Sequence, residues 1–293
     1  MSSSVNFPSN SLFESYFSVR YQGRWPELRA ALQTPEKQVL RKNKFVDSDD
    51  EGLIACDFLD QCYWKPESYT LKKNLEGFYK YYIMDPASAL VAGALGVDPN
   101  DQVLDLCAAP GGKSLILTEA LGPEGRLIAN EVSDGRRERL MRVLHEYVPK
   151  ERRMQVTVKG LDGNQFGLRW PSRFDKVLAD VPCSGERHLL ENPSEFSLWT
   201  AKRTSNLAVR QYSLLSAAWL AVKEGGRIVY STCSISPAEN DSVVAKLVKK
   251  RSPQVIRLPD LEKLDFVEPT DQGYQILPDR CGFGPMYFSV LTK

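Results

Sequence analysis

Residues Gln102–Ser114 read QVLDLCAAPGGKS. A short run with Val103, Leu104 and Leu106 ends at a cysteine, passes through a Pro-Gly-Gly turn and gives way to the helical pattern of Lys113–Ala120. This predicts a strand, a tight turn and the start of a helix. Gly111 and Gly112 let a ligand approach the backbone, and the helix N-terminus favours electronegative groups. Such a turn can equally serve only to pack a helix on its strand, so alone it leaves both readings open. The GGKS end suggests a nucleoside triphosphatase. That phosphate loop requires a glycine five residues before its second glycine, and Cys107 stands there. A GxGxxG run is absent as well.

Outward from this turn, strand and helix patterns alternate. Gly125–Glu131 reads as a strand and Gly135–Tyr147 as a charged amphipathic helix. Met154–Gly160 and Phe174–Val181 read as strands, Leu207–Val222 as a helix, Arg227–Cys233 as a strand and Asn240–Arg251 as a helix. Met286–Thr292 closes with a strand pattern. Strands alternating with helices predict an α/β fold with a mainly parallel sheet covered on both faces. In such sheets ligands bind at the carboxyl ends of the strands, near the point where strand order reverses. The ends of the runs at Asp105, Glu131, Asp180 and Cys233 would then share one edge.

The acids on that edge indicate a ligand class. Glu131 ends the strand that follows the turn, 20 residues after Gly111, where a carboxylate can accept both hydroxyls of a ribose. Asp162 and Asp180 add two more carboxylates, although Asp162, in GLDGN, also suits a plain turn. Asp105 can have a structural role, bonding the glycine turn. A nucleoside with no phosphates and a cationic centre fits an acidic rim. S-adenosylmethionine is such a molecule.

Two other strand runs end on a thiol. Val177–Gly185 reads VLADVPCSG and Val229–Ile235 reads VYSTCSI. A disulfide, a metal site and a reactive sulfur compete as explanations. The six cysteines (Cys56, Cys62, Cys107, Cys183, Cys233 and Cys281) are spread over 293 residues. A chain of this length buries a full core without staples. Its start has neither a basic, apolar-cored leader nor a transit-peptide pattern, and its uncharged runs are shorter than the ~20 residues of a membrane span. A reducing, cytoplasmic setting follows as the expectation, with no membrane partner. No CxxC occurs and only two histidines exist, so metal binding is not expected. Cys56, Cys62, Cys107 and Cys281 suit the role of small buried hydrophobes.

The motifs LDLCAAPGGKS, DKVLADVPCSG and VYSTCSISPAEND, in that order, resemble the Nol/Nop/Sun family of RNA (cytosine-5) methyltransferases. Tyr82–Ala89 (YIMDPASA) looks like that family's entry motif. GPMYFSVLTK looks like the closing strand of its mitochondrial ribosomal-RNA members, whose short N-terminal extension the first seventy residues resemble. The resemblance implies a Rossmann-like class I methyltransferase fold, with a mainly parallel seven-stranded sheet. It implies a catalytic domain over residues 75–293 and a mostly helical extension over 1–74, a candidate RNA-positioning segment. It further implies cofactor contacts from Cys107, Ala108, Ala109, Pro110, Gly111, Gly112 and Lys113, and from Glu131, Asp162 and Asp180. Lys113 is also a candidate contact to the target nucleotide. In the RNA family the Thr-Cys cysteine attacks and the Pro-Cys cysteine assists product release. That pattern assigns Cys233 as nucleophile and Cys183 as release assistant.

The chemistry explains why two thiols are needed. Carbon 5 of cytosine is a poor nucleophile. A thiolate that adds to carbon 6 makes carbon 5 enamine-like and able to take a methyl group. A base then removes the carbon-5 proton and the thiolate leaves. Asp180, three residues before Cys183, is placed to contact ring nitrogen 3 and the exocyclic amine, stabilising the charge that develops.

With Lys+Arg 38 against Asp+Glu 37, RNA binding must use a patch rather than net charge. Arg20–Lys44 offers seven basic residues against Glu27 and Glu36, with Tyr21 and Trp25 interleaved. The competing reading is that this segment packs on the core. Ser184–Asn206 is polar and poorly periodic, a candidate wall for the target-base pocket. Ribosomal RNA is the first expectation for substrate and transfer RNA the second. A methyltransferase for DNA or small molecules, and a non-catalytic ribosome-assembly protein on the same scaffold, are the alternatives. The Thr-Cys opposes the former and the intact site residues oppose the latter.

Overall fold

The computed structural model describes residues 10–293, so the first nine residues of the expected extension lie outside the described residues. Asn10 opens α1 (Ser11–Tyr21) by accepting from the amides of Leu12 and Phe13, which satisfies donors that the first turn leaves orphaned. A 3-10 turn leads to α2 (Trp25–Ala31). Three short antiparallel strands follow: β1 (Val39–Lys42), β2 (Cys62–Trp64) and β3 (Tyr81–Met84), with β1 in the middle. The extension is therefore helical only as far as Ala31. Its sheet is completed by β3, beyond the boundary expected at residue 74, because β3 pairs the second edge of β1.

Asp85 caps α3 (Pro86–Ala94), and the alternation then begins. It runs β4 (Gln102–Asp105), α4 (Gly112–Ala120), β5 (Arg126–Asn130), α5 (Asp134–Tyr147), β6 (Val156–Lys159) and β7 (Phe174–Asp180). The long helix Ala201–Ala221 leads into β8 (Val222–Thr232), and the helix Asp241–Arg251 into β9 (Gln254–Ile256). β10 (Val267–Pro269), β11 (Tyr274–Ile276) and β12 (Met286–Thr292) finish the chain. The order across the sheet is β10-β11-β12-β8-β7-β4-β5-β6, with β9 on β12. From β6 to β8 the strands are parallel, and β12 closes antiparallel on β8. The sheet has nine strands where seven were expected. Six of the nine match runs read from pattern; the other three, β9, β10 and β11, lie in Gln254–Ile276 and have three residues each, too short to show an alternation.

Alternate residues of the central strands face opposite helical layers. Val103, Leu178 and Val229 pack with Leu90, Leu115 and Leu140 on one side. Leu104, Val177 and Ile228 pack with Leu214, Leu215 and Leu247 on the other. Burial on both faces is why these strands read as near-continuous apolar runs. From β4 the chain steps to β5 and β6 on one side, then returns to β7 and β8 on the other. The order therefore reverses between β4 and β7, which opens a crevice at their carboxyl ends.

Ser184–Asn206 is not a polar loop. It holds the short helices Glu186–Glu191 and Pro193–Ser197. Leu189, Phe196 and Trp199 are buried against Phe13, Phe17, Trp25 and Leu28 of the N-terminal helices. Phe13 sits 5.0 Å from Phe196 and 5.1 Å from Trp199, ring to ring and edge-on. The segment's few apolar residues find their partners nearly two hundred residues away in sequence, so no local period announces them. The basic patch is reassigned too. Arg24 pairs with Glu268 and Asp279, Arg29 with Glu14, Arg41 with Glu119 and Lys42 with Asp50. Four of the seven basic side chains are thus held in ion pairs, two within the extension and two tying it to the rest of the chain, the packing reading of this segment.

Docking of α1 on this aromatic cluster fixes the Pro-Cys segment from above. Phe13→Ala is expected to lower stability by about 3–5 kcal/mol, the usual cost of removing a buried aromatic ring. Denaturant unfolding measures it; a loss well under 1 kcal/mol would show that α1 does not unfold with the rest.

Candidate active site

Asp180 and Ser231 are directly opposed in the parallel pair β7 and β8. Ser231 Oγ donates to Asp180 Oδ1 at 2.7 Å. Lys113 Nζ, from the first turn of α4, donates to Oδ2 at 2.8 Å. The thiols follow just past this pair. Cys183 and Cys233 have their sulfurs in contact and their Cα atoms 6.3 Å apart. The Cys233 amide donates to Cys183 Sγ at 3.2 Å. Cys233 is exposed and Cys183 half-buried. The Cα separation is one that a disulfide spans. The bridge that composition argued against is thus geometrically open to this pair, and only its reduced form carries a thiolate.

The turn after β4 forms a ridge between two cavities. One, of about 260 Å³, is lined by Tyr82, Asp85, Asp105, Cys107–Lys113 and Asp180. The other, of about 370 Å³, lies beyond Cys107 and is lined by Asn130, Glu131, Asp162, Pro182 and Leu214. Gly111 takes φ +118°, and a Cβ there would press on Leu140 and Val143 at 3.2 and 3.1 Å. At Gly112 a Cβ would meet the Tyr82 ring at 2.6 Å. The two glycines are required by this geometry, one by its backbone and one by the close approach of β3. Ala108 and Ala109 are buried, and the Ala109–Pro110 bond is cis. The backbone is tied to its neighbours: Ala108 N donates to Asn130 O at 2.8 Å, and Arg136 donates to Ala109 O at 2.8 Å.

The site residues expected from sequence converge. Cys107, Ala108, Ala109, Pro110, Gly111, Gly112 and Lys113 form the ridge, Asp180 lines the first cavity and Glu131 and Asp162 line the second. Burial, then the charges of Asp105 and Asp180, push the Cys107 thiol far up, so it is a neutral wall rather than a nucleophile. Asp162 Oδ1 caps the turn it begins, accepting from Asn164 N at 3.0 Å. Its turn role and its place on the cavity wall coexist. Asp105 accepts from Ser114 Oγ at 2.6 Å, which ties the strand end to α4. Burial, reinforced by the Asp180 charge, pushes its carboxyl up to about 7.

Two buried carboxylate oxygens here accept no hydrogen bond. They are Asp105 Oδ1 and Glu131 Oε2. Glu131 is 4% exposed, takes the Ser133 amide at 2.9 Å on its other oxygen and has Arg136 Nε 3.4 Å from the orphaned one. Buried acceptors of this kind are normally partnered. Asp105 lines the first cavity and Glu131 the second, so a ligand lying across the ridge with hydroxyl donors at one end and a cationic group at the other meets a carboxylate at each. S-adenosylmethionine has that chemistry, and the residues present fit it.

One wall residue was not singled out in the sequence. Asp85 is half-buried, accepts from Ser88 N at 2.9 Å and Gly284 N at 2.6 Å, and is pushed by desolvation up to about 6. Its signal was legible: Asp before Pro, with Ser two residues further on, is a helix start. It joins α3 to the segment before β12 at the rim of the first cavity.

The family model described as 16S rRNA methyltransferase RsmB/F matches residues 92–292. The 5-cytosine rRNA methyltransferase NSUN4 of Bos taurus is 34% identical over the whole of this chain and 91% of its own length. The mitochondrial tRNA (cytosine(34)-C(5))-methyltransferase of Danio rerio is 37% identical over 80% of this chain and 67% of its own. The structure of NSun6 from Pyrococcus horikoshii matches with a TM-score of 0.81 over 98% of this chain and 99% of that one, at 16% identity, a likeness of fold alone. The three motifs, the strand order and these likenesses agree: the chain belongs to the RsmB/F family of 16S rRNA methyltransferases, within the Nol/Nop/Sun group.

Proposed function

We propose that this protein transfers a methyl group from S-adenosylmethionine to carbon 5 of a cytosine in small-subunit ribosomal RNA, by way of a covalent bond between Cys233 and carbon 6. The observation that carries the reading is the thiol pair at the ends of β7 and β8, one strand end away from the Lys113–Asp180 ion pair. S-adenosylmethionine supplies an electrophilic methyl group on a sulfonium centre. Glu131 holds the ribose end, and the ridge Cys107–Lys113 with Asp105 holds the other.

The Cys233 thiolate adds to carbon 6, and the electron pair of the carbon 5–carbon 6 double bond moves into the ring. Asp180 accepts from the exocyclic amine, and the Lys113 ammonium beside it offsets the charge that develops. Carbon 5, now enamine-like, takes the methyl group. A base removes its proton, the double bond re-forms and the Cys233 sulfur departs. Cys183, in contact with Cys233, assists that departure. A thiolate nucleophile works only when reduced, which supports a reducing, cytoplasmic setting.

The ribosomal choice rests on the likeness to NSUN4, which runs the whole length of this chain and includes the N-terminal helices; transfer RNA is the second reading. An RNA-positioning role for the first 74 residues narrows to the basic side chains outside ion pairs, Arg20, Lys37, Lys44, Lys65 and Lys72. The base must leave its stack to reach Cys233, so a loop or flipped nucleotide is the expected target.

Glu131→Ala is expected to weaken S-adenosylmethionine binding by roughly 1.5–3 kcal/mol, about tenfold to a hundredfold, in a folded protein. Calorimetry reads this, and unchanged affinity would remove Glu131 from the cofactor site.

The two thiols separate on a denaturing gel with radiolabelled RNA. Cys233→Ala cannot form the adduct, so methyl transfer stops. Cys183→Ala still attacks and methylates but fails to release, leaving protein joined to RNA as a band that survives denaturation. The band vanishes in the double variant. If instead the adduct is lost with Cys183 and kept without Cys233, the roles are reversed. Methyl transfer unchanged in both single variants would refute the covalent route.

A further inference from the structure

Directly after each thiol, a serine turns inward to a buried pair of carboxylates that the chemistry above does not use. Glu186 and Glu239 are fully buried, at 0% exposure. Each belongs to one thiol segment and grips the other. Glu186, downstream of Cys183, accepts from Ser234 Oγ at 3.1 Å and from Ile235 N at 3.0 Å, in the segment after Cys233. Glu239, downstream of Cys233, accepts from Ser184 N at 3.0 Å and from Ser184 Oγ at 2.5 Å, in the segment after Cys183. Ser184 Oγ also contacts Glu186 Oε1 and lies 3.0 Å from Ser234 Oγ. Gln211, from the long helix, donates to both Glu239 Oε2 (2.7 Å) and Pro182 O (2.9 Å).

A hydroxyl has one proton to give. Ser184 Oγ touches a carboxylate oxygen of each glutamate, so it donates to one and must accept a proton from the other. We propose that Glu186 and Glu239 are positioning residues that share one proton across Ser184 Oγ and so hold the Cys183 and Cys233 segments face to face. The assignment of catalytic thiols given above supplies its functional meaning, but the brace itself is read from the hydrogen bonds. Beyond Ser231 the ladder of β7 and β8 runs out, and this reciprocal grip takes its place.

The surroundings agree. The partners of the pair are serine hydroxyls, backbone amides and the Gln211 amide, with no cation among them. Burial and then the Glu239 charge push Glu186 up to about 7, and burial raises Glu239. The other ionisable groups that face the pair are Tyr21 from α1, bonded to Ile235 O, and Tyr230 from β8, bonded to Glu239 O. Burial raises both phenols well above their usual value, so they stay neutral as the pair titrates. His188 lies at the surface against Asn192.

The test reads the thiols rather than methyl transfer, so it stands or falls apart from the reaction proposed above. Reduced protein is exposed to glutathione disulfide. The two cysteines lose two protons and two electrons, forming the Cys183–Cys233 bond while glutathione disulfide is reduced to two thiols. Alkylation and mass spectrometry follow the rate. Glu186→Ala and Glu239→Ala are expected to slow coupling about tenfold or more, the consequence of leaving buried partners unsatisfied, with S-adenosylmethionine affinity retained. Glu186→Gln, which offers an amide N–H where the acid offers O–H, should restore a rate close to wild type. If the Ala variants do not fold, Ser184→Ala removes the hydroxyl between the carboxylates and takes their place.

A second measurement addresses the proton. The raised folded-state value means the stabilising proton is present at low pH and lost as pH rises through about 7. The melting temperature of the wild type should therefore fall relative to that of Glu186→Gln across that range. Wild-type coupling in the Ala variants or in Ser184→Ala would overturn the brace. A melting offset from Glu186→Gln that is constant with pH would overturn the shared proton.

Discussion

Parallel pairing of β7 with β8 is the constraint from which the site follows. The two strands run in register as far as Asp180 and Ser231, and each is succeeded within three residues by a thiol. Neighbouring strands in a sheet lie about 4.8 Å apart, so two segments leaving adjacent strands in the same direction must stay close unless something separates them. Nothing does. The sulfurs of Cys183 and Cys233 are therefore brought together by the strand pairing that precedes them, and the Cys233 amide donates to Cys183 Sγ.

The same pairing explains the division of labour along the sheet edge. β4 and β5 lie to one side of β7 and present the glycine ridge and Glu131, whose buried carboxylate Oε2 accepts no hydrogen bond. β8 lies on the other side and presents Cys233. Asp180 stands at the junction, held from both directions by Lys113 and Ser231. Its charge is balanced by a cation at 2.8 Å, and that cation is itself anchored in the first turn of the helix that begins the cofactor ridge. A shift of α4 would thus be felt at both the glycine ridge and Asp180.

The N-terminal helices act as a clamp on the second half of the site. Phe13, Phe17 and Trp25 cover Phe196 and Trp199, and Tyr21 reaches the backbone of Ile235, two residues past Cys233. The ion pairs of Arg24 and Arg29 secure this contact. Partly exposed pairs contribute little each, so the buried aromatic area dominates and the charges set the orientation.

The central strands, their helices and the placing of the expected site residues at one sheet edge could be read from the chain because each depends on local pattern. Apolar runs buried on two faces, glycines at a turn with φ +118° and acids at strand ends are visible in a few residues at a time. The resemblance of the motifs added the roles of the two thiols. What sequence did not reveal depends on residues far apart in the chain. The short strands β9 to β11 show no period, and the residues of Ser184–Asn206 looked polar because their apolar partners sit near the N-terminus. The basic patch looked free because Glu119, Glu268 and Asp279 are distant in sequence. Glu186 and Glu239 look like ordinary surface acids in a linear reading. Only the tertiary structure buries them, joins them through one serine hydroxyl and makes them part of the site, because burial and shared hydrogen bonds exist only once β7 and β8 have been laid side by side.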